Sequence, residues 1–323
     1  MLRDRALLEE ALAERAGDAL TPRELEHATE WCRRRAEELI AWLEGDAEAD
    51  AELDAEDDAL LLRAYQLRVG PLPGAEGGPL RYRHVAVDEV QDFAAVEVRV
   101  LLDCLDERHS LTLAGDAQQQ IGPSSGFTSW GGFFRDLGLE GTEVDTLQVS
   151  YRASREITEF ALALLADRRE EGPVMTTRSG PPVEVFEFTE SGACVAFLAD
   201  ALTRLAREEP FASVAVLAPS AALSDVYYTG FVQSEVPRVH RVREQDFRFS
   251  PGIEITEIQQ VKGLEFDYVI VVEASDEQFT SDDVSRRLLH VGATRAVHQL
   301  WLASVGPVAK IVREASERTR RSV

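Results

Sequence analysis

The chain has 323 residues, of which 45% are hydrophobic and 7% aromatic, which is typical of a folded protein with room for two domains and excludes a disordered chain. Its formal net charge of −24 makes the average surface repel phosphate, so a nucleic-acid site is expected only as a local basic groove or outside this surface. The cysteines Cys32, Cys104 and Cys194 are far apart without metal-ligand spacing, and no stretch approaches a membrane span or a signal peptide, which together indicate reduced thiols and a cytoplasmic protein with no membrane partner.

The amino-terminal 70 residues are predicted to form a helical arm and an acidic linker. Thr21 and Pro22 make a good helix start, a hydroxyl cap followed by proline at the first helical position. Apolar residues then recur at helical spacing until Gly45 offers a stop. The acidic residues of 44–58 follow with no Lys or Arg among them, so this block repels itself and is predicted to be an exposed linker. Leu60 to Leu67 restore an apolar helix.

The segment His84–Phe93, HVAVDEVQDF, predicts a strand that ends in two carboxylates. Val85 to Val87 form a short apolar run typical of a buried strand in a parallel sheet, and Asp88 and Glu89 follow directly. Open α/β sheets bind ligands beyond the carboxyl ends of their strands. We therefore interpret the pair as part of a magnesium-nucleotide site, where Asp88 holds Mg²⁺ and Glu89 orients and deprotonates a water. Taken alone, such a pair more often marks a solvated acidic turn.

A second buried strand is predicted at Ser110–Ala114, after a helix over Phe93–Leu105. It ends in GDAQQQI (115–121), where Gly115 permits a tight turn and polar side chains project from it. A glutamine in this place can hydrogen-bond a terminal phosphate and its attacking water. A plain polar turn after a strand is an equally good interpretation of this segment alone.

From Leu147 onward the pattern is that of a parallel α/β domain, because predicted helices alternate with predicted strands. The helices are expected at 153–166 and 191–208, and the strands at 183–188, 213–217, 268–272 and 299–303. Arg152 and Arg295 flank these elements, and either one alone would more often be a surface salt-bridge partner than a catalytic group. The last residues, REASERTRRSV, are predicted to be a frayed end.

Taken together and in order, five segments resemble motifs II to VI of the UvrD/Rep-like superfamily 1 helicases. They are VDEVQD, GDAQQQI, LQVSYRAS, VKGLEFDYVIVV and VGATRA. Five ordered matches across 85–303 are far more specific than any one of them. GFTSW and QDFRFSPGIEITEIQQVKGLEFD are similar in particular to the HelD-type branch, which includes bacterial proteins that act on RNA polymerase. Over residues 1–60 only a helical arm can be compared.

The resemblance implies ATP and Mg²⁺ as cofactors, and it implies roles for the residues of motifs II and III. Asp88 would coordinate Mg²⁺, and Glu89 would be the general base. Gln119, the family's glutamine four residues after the glycine of the Gly-Asp pair, would sense the γ-phosphate. These implied roles agree with the interpretation of the strand ends given above.

The resemblance also implies roles for residues of the later motifs. Tyr151 would stack on adenine, while Arg152 and Arg295 would reach across the cleft as arginine fingers that stabilise charge on the transferred phosphoryl group. Glu265 would contact the ribose or brace the cleft. It follows Gly263, whose missing side chain lets the backbone approach closely.

Two features depart from the family pattern. The P-loop, G-x-x-x-x-G-K-[ST], which holds the β- and γ-phosphates, has no counterpart in residues 1–83, where there is no lysine at all. We therefore expect the chain to be the carboxyl-terminal piece of a longer motor. The family's Tyr-x-Phe/Trp-Arg-Gly run that stacks on single-stranded DNA is replaced by GPSSGFTSW. Phe127 and Trp130 could supply stacking faces instead, or pack in the core or an interface.

The expected fold class is α/β, with a partial first RecA-like domain and then a complete second RecA-like domain of the P-loop NTPase fold. The predicted parts are a helical arm and acidic linker (1–70), the carboxyl-terminal half of the first domain (71–145) and the second domain (146–323). The expected function is that of a carboxyl-terminal fragment of an ATP-dependent DNA helicase or translocase, an ATP hydrolase with single-stranded DNA as partner. The alternatives are a HelD-like factor that binds RNA polymerase and a non-hydrolysing interaction module.

Overall fold

The computed structural model describes residues 6, 22–45, 55–119, 127, 129–147, 149–166 and 175–321. The chain divides into two compact units, Met1–Leu80 and Arg81–Val323. Within the described ranges, no helix is both long and apolar enough to cross a membrane. The division into 71–145 and 146–323 stays a prediction.

The described part of the first unit is mainly helical. Helix α1 (Pro22–Leu43) begins at the predicted proline, and Gly45 just beyond it has a φ of 89°, a left-handed value that glycine adopts without steric cost. Helix α2 (Ala55–Arg68) begins inside the acidic block, so the end of that block is helical, and the acidic linker stays a prediction. Acidic side chains in a first helical turn are favoured by the helix dipole. Positions 46–54 of the predicted linker lie outside the described residues.

The described residues of the second unit form three parallel sheets. Two of them have two strands each, β1 (Val85–Val87) with β2 (Leu111–Leu113) and β3 (Val149–Ser150) with β4 (Met175–Thr176). The third has six strands: β5 (Glu184–Phe188), β6 (Ser213–Ala218), β7 (Val239–Arg241), β8 (Gly252–Glu257), β9 (Phe266–Val271) and β10 (Ala296–Val305). Their order is β5-β10-β9-β6-β8-β7, and every pairing is parallel. The predicted parallel α/β pattern is confirmed.

Seven helices connect these strands or flank them in the described residues of the second unit. They are α3 (Ala95–Leu102), α4 (Trp130–Leu137), α5 (Arg155–Leu165), α6 (Ser191–Glu208), α7 (Ala221–Gln233), α8 (Asp283–Thr294) and α9 (Lys310–Arg321). Four begin after a serine or aspartate whose side-chain oxygen accepts a hydrogen bond from the backbone N–H three residues later. These caps are Ser129, Ser154, Ser220 and Asp282. Such caps satisfy donors that the first helical turn leaves without a partner.

Helices cover both faces of the six-stranded sheet, which explains why strand β6 is apolar from its second residue to its last. Ala215 and Leu217 of β6 pack in one cluster with residues of α5, α8 and α9. Val214 and Val216 pack in a second cluster with residues of α6 and α7. Successive side chains of a strand point to opposite faces, so a strand that is buried on both faces needs a continuous apolar run.

A third apolar cluster surrounds β1 and decides between the two expectations for Phe127, whereas Trp130 is only partly buried against this cluster. Phe127 is buried, and its ring centroid lies 5.4 Å from that of Trp130 and 5.2 Å from that of Phe133. Val87 and Val90 belong to the same cluster. Phe127 is therefore a core residue, and its ring does not face solvent where a base could stack on it.

The prediction of a frayed carboxyl-terminal end is wrong. Helix α9 continues to Arg321, and Ile311, Val312 and Ala315 on it are fully buried in the cluster that covers the sheet. These apolar residues recur at positions that share one face of a helix, whereas the remaining face is charged. The predicted tail looked frayed because its charges are plentiful, but the helix needs only one apolar face to pack. Residues 322 and 323 lie outside the described part.

Candidate active site

The two carboxylates lie where β1 ends, as predicted. Asp88 is exposed, and its Oδ1 accepts a hydrogen bond of 2.9 Å from the backbone N–H of Glu89. Glu89 has a φ of 52° and a ψ of 39°, in the left-handed region. A residue with a side chain adopts this region only at an energetic cost, and such strain persists where the surrounding structure holds it.

Gln91 contacts Glu89 and was missed by the sequence analysis. Its side chain is fully buried, and its Nε2 donates a hydrogen bond of 2.5 Å to Glu89 Oε2. Its Oε1 accepts one of 2.9 Å from the backbone N–H of Asp116, at the end of β2. A Cβ added at Gly115 would lie 2.5 Å from Gln91 Oε1, so the glycine leaves room for this contact. The available signal was a polar residue two positions after the carboxylates that end an apolar strand.

The turn after β2 positions Gln119. Asp116 Oδ1 accepts a hydrogen bond of 2.9 Å from the backbone N–H of Gln118, and its Oδ2 accepts one of 2.8 Å from Gln119 Nε2. Residues Ala117–Gln119 form one short turn of 3-10 helix. Gln119 Oε1 in turn accepts a hydrogen bond from Arg295 Nη2. The glutamine amide is thereby oriented at both ends.

Arg295 lies at the carboxyl end of α8, and its side chain is almost entirely buried, with 1% of the residue exposed. Its Nε donates to the carbonyl of Val291 and its Nη1 to the carbonyl of Leu264, both at 3.2 Å. Burial lowers the pKa of Arg295, and the charge of Arg152 lowers it further, while the charges of Glu89, Asp116 and Glu265 oppose the shift. An arginine keeps its charge even so, because its ordinary pKa is above 12.

The residues of the later motifs lie beside Arg295. Arg152 forms an ion pair with Glu265, and both side chains are partly exposed. Tyr151 is 70% exposed. Gly263 has a φ of 77°, and an added Cβ would meet no atom within 4 Å. Glycine is therefore favoured at position 263 by the left-handed backbone angle, and not by a close contact with any described residue.

A second contact that the sequence analysis missed joins the same two regions. Lys262 Nζ forms an ion pair with Asp92 Oδ1, and the lysine side chain is only 16% exposed. The two residues are 170 positions apart, and Arg295 and Gln119 are 176 apart. Within the described ranges, two polar contacts between side chains thus connect the segment around β1 and β2 to the six-stranded part of the unit.

The structure brings most of the predicted site residues into one neighbourhood. Glu89, Gln119, Arg152 and Glu265 all lie close enough to Arg295 to contact it or to influence its charge. The remaining predicted residues are close to members of this group in the chain: Asp88 precedes Glu89, Tyr151 precedes Arg152, and Gly263 lies two residues before Glu265. The group contains both acidic and basic side chains, which is the chemistry needed to bind a metal-phosphate ligand and to activate water.

The available donors fit Mg²⁺ bound together with a phosphate ligand. In the described part of the chain, no group of three or more His, Cys, Asp or Glu side chains could hold a metal ion by itself. Mg²⁺ is usually held by one or two carboxylates together with phosphate oxygens and waters. The exposed carboxylate of Asp88 is a donor of that kind, and its neighbour Glu89 lies close enough to Arg295 to influence the charge of that arginine.

Residues 252–303, which include Gly263, Glu265 and Arg295, match the family model of the UvrD-like helicase C-terminal domain. This chain is similar to the carboxyl-terminal part of UvrD-like helicases. It is 30% identical over 165 residues to the ATP-dependent DNA helicase UvrD2 of Mycobacterium bovis, and equally to UvrD2 of Mycobacterium tuberculosis. The UvrD-like resemblance expected from the five motifs is confirmed.

The similarity to UvrD-like helicases covers a part of each relative. The alignment with UvrD2 spans 48% of this chain and 23% of the relative, so the chain matches about a quarter of the length of these curated proteins. Among solved structures, the C-terminal domain of a possible DNA helicase from Lactobacillus plantarum WCFS1 is 25% identical. That match covers 53% of this chain and 96% of the other, with a TM-score of 0.44.

Proposed function

We propose that this chain supplies one wall of the ATP site of a superfamily 1 DNA helicase or translocase, as its carboxyl-terminal part. The observation that carries the proposal is the contact between Arg295 and Gln119. It joins a buried guanidinium on α8 to the turn after β2, beside the carboxylate of Glu89. A buried positive charge adjacent to a candidate base and a polar turn is the arrangement that phosphoryl transfer to water requires.

In this proposal the residues at the ends of β1 and β2 act on magnesium and water. Bound Mg-ATP supplies the phosphoryl group and a divalent charge. Asp88 holds the magnesium ion, Glu89 accepts a proton from the attacking water, and Gln119 orients that water and the γ-phosphate through its amide. The hydrogen bond from Gln91 to Glu89 Oε2 leaves Glu89 Oε1 as the oxygen for the proton.

The residues of the six-stranded part provide charge and hold the nucleotide. Arg295 and Arg152 offset the negative charge that develops on the phosphoryl oxygens. The charge of Arg295 is weakly screened because the side chain is buried. The exposed side chain of Tyr151 stacks on adenine, and Glu265, two residues after Gly263 in the chain, contacts the ribose or braces Arg152 through the ion pair they form.

The second candidate function is that of an interaction module that does not hydrolyse ATP, such as a HelD-like factor that binds RNA polymerase. One observation favours it: the net charge of −24 makes nucleic acid a poor partner for most of the surface. The two candidates differ in one measurable property, the turnover of ATP.

The test uses the protein expressed from its complete natural reading frame and measures phosphate release with Mg-ATP and single-stranded DNA. We expect turnover in the parent. Glu89→Gln should keep nucleotide binding and lower turnover by about 10² to 10⁴, because it removes the base and keeps the shape. Arg295→Ala should lower turnover by about 10³ to 10⁵.

Two exposed residues away from the site serve as controls. Glu140→Gln and Arg207→Ala make the same chemical changes at positions that have no role in the proposal, and both should turn over ATP like the parent. If Glu89→Gln and Arg295→Ala also matched the parent, the assigned roles would be wrong. A parent that binds RNA polymerase in calorimetry but turns over no ATP would favour the interaction module.

A further inference from the structure

We propose that Gln91 is the positioning residue that holds the carboxylate of Glu89 and couples it to the turn carrying Gln119. This inference rests on the proposed ATP site. Gln91 touches neither the metal-binding carboxylate nor a candidate nucleotide contact, so it would act on the reaction only through Glu89 and Asp116.

The amide of Gln91 can adopt only one orientation. Its Oε1 faces the backbone N–H of Asp116, which is a donor, so its Nε2 must face Glu89 Oε2, which is an acceptor. The side chain is fully buried. If the amide were reversed, its oxygen would face the Glu89 carboxylate, another acceptor, and its NH₂ group would face the Asp116 N–H, another donor. A buried polar group without a partner costs about 1 to 3 kcal/mol. The backbone N–H of Asp116, in the turn after β2, therefore determines that Gln91 presents its Nε2 donor to Glu89.

The backbone that carries Gln91 is itself fixed. Val90, its neighbour, is fully buried in the apolar cluster around β1, and its N–H donates a hydrogen bond of 2.9 Å to the carbonyl of Ala114. Glu89 lies one residue earlier with left-handed backbone angles. A strained residue with a flexible side chain would sample several rotamers in solvent. The hydrogen bond from Gln91 selects those rotamers that keep Oε2 against the buried amide.

The contacts form one continuous chain of hydrogen bonds from the base to the buried arginine. Glu89 is bonded to Gln91, Gln91 to Asp116, Asp116 to Gln119, and Gln119 to Arg295. Each link joins a donor to an acceptor, so the chain is fully satisfied. A shift of Arg295 would move Gln119 and the Asp116 turn, and Gln91 would transmit that shift to Glu89. The base is thus oriented correctly when the arginine is in place.

The first test detects the contact in the chain of 323 residues, without nucleotide. In the ¹⁵N-labelled protein, Glu89→Ala should shift the side-chain amide signal of Gln91 and accelerate its hydrogen exchange. Glu140→Ala, at an exposed position, should leave that signal unchanged. An unchanged Gln91 signal in Glu89→Ala would overturn the inference, because it would show that the two side chains do not touch in solution.

The second test measures kinetics in the protein from the complete reading frame. Gln91→Glu keeps an acceptor for the Asp116 N–H and loses the donor to Glu89; the two carboxylates then repel each other or share a proton that occupies the base. We expect kcat to fall about 100-fold, the cost of a small misplacement, while the KM for ATP stays at the parental value. Gln233→Glu, at an exposed position on α7, is the matched control and should keep both constants.

The outcomes separate this inference from the proposed function. Turnover in the parent with an unchanged kcat in Gln91→Glu would overturn the role of Gln91 alone. A parent without turnover would overturn the ATP site and the role of Gln91 with it. If KM rose by the same factor by which kcat fell, the site would be damaged as a whole and the base would not simply be displaced. That outcome would also count against the inference. Circular dichroism of Gln91→Glu checks that the fold is retained.

Discussion

His290 on α8 shows how burial near the site determines the ionisation of one residue. It is almost fully buried, and its Nδ1–H donates a hydrogen bond of 2.8 Å to the carbonyl of Ala161. Burial lowers the pKa of His290; the bond to Ala161 and the charge of Asp116 oppose the shift, and the charge of Arg295 adds to it. The neutral imidazole is therefore the form that packs between α8 and α5.

The neutral state of His290 predicts a pH dependence of stability. The unfolded chain protonates this histidine at a pKa near 6.5, and the folded chain does so only at lower pH. The contribution of His290 to the free energy of unfolding should therefore be fully present above about pH 6.5. As the pH decreases from 6.5 to the lower pKa of the folded state, the free energy of unfolding should decrease by about 1.4 kcal/mol per pH unit. Urea unfolding at several pH values would measure this slope. His290→Asn should flatten it and the exposed His27→Asn should not; equal slopes in all three proteins would contradict the prediction.

Glycine residues and helix caps define the ends of elements, but the charged helix α9 shows that packing decides whether an element forms. Its sequence is mostly charged, which led to the prediction of a frayed end. Ile311, Val312 and Ala315 nevertheless supply one apolar face, and that face is fully buried against α5 and the sheet. A short helix with this composition would be marginal in isolation, because most helical stability in proteins comes from such a packed face.

The packing of α9 predicts the effect of shortening one side chain. Ile311→Ala should lower the free energy of unfolding by about 2 to 5 kcal/mol, because the deletion leaves a cavity under the sheet. Lys310→Ala, one residue away and exposed, removes only the surface ion pair with Glu314 and should cost less than about 1 kcal/mol. Denaturant titration of both variants measures the difference. A cost for Ile311→Ala as small as that for Lys310→Ala would support the frayed end.

At the scale of the whole molecule, charge and the composition of the first 83 residues limit what the chain can bind. The net charge is −24, and the P-loop lysine of the family has no counterpart in residues 1–83. Of the described residues, Arg152, Arg295 and Lys262 are the basic groups at the candidate site, and Lys262 is already paired with Asp92. Arginines and Mg²⁺ alone would have to offset the charge of a triphosphate.

We therefore predict that the chain of 323 residues does not hydrolyse ATP measurably and binds it only weakly. ATP carries about four negative charges, which the P-loop amides, its lysine and Mg²⁺ offset together in the family. Without the first two, the triphosphate would be poorly oriented, and phosphoryl transfer depends mainly on orientation and charge stabilisation. Calorimetry with Mg-ATP and a phosphate-release assay on this chain test the prediction. Micromolar affinity with steady turnover would show that another segment replaces the P-loop.

Local pattern was enough to predict the elements that the site is built on. The apolar run before Asp88 predicted β1, the Gly-Asp pair marked the turn after β2, and the alternation after Leu147 predicted a parallel α/β sheet. These inferences succeed because the period of apolar residues and the residues that favour turns act within a few positions of the chain. The resemblance to UvrD-like helicases rests on the same short segments, read in order.

The tertiary structure alone decided which of these segments meet. The strand order β5-β10-β9-β6-β8-β7, the pairing of Lys262 with Asp92 and the burial of Arg295 against Gln119 join positions that lie far apart in the chain. Gln91 is a further case, since its partner Asp116 is 25 residues away. Side chains on separate elements come into contact only when a common core fixes the distance between those elements, and no local period encodes that distance.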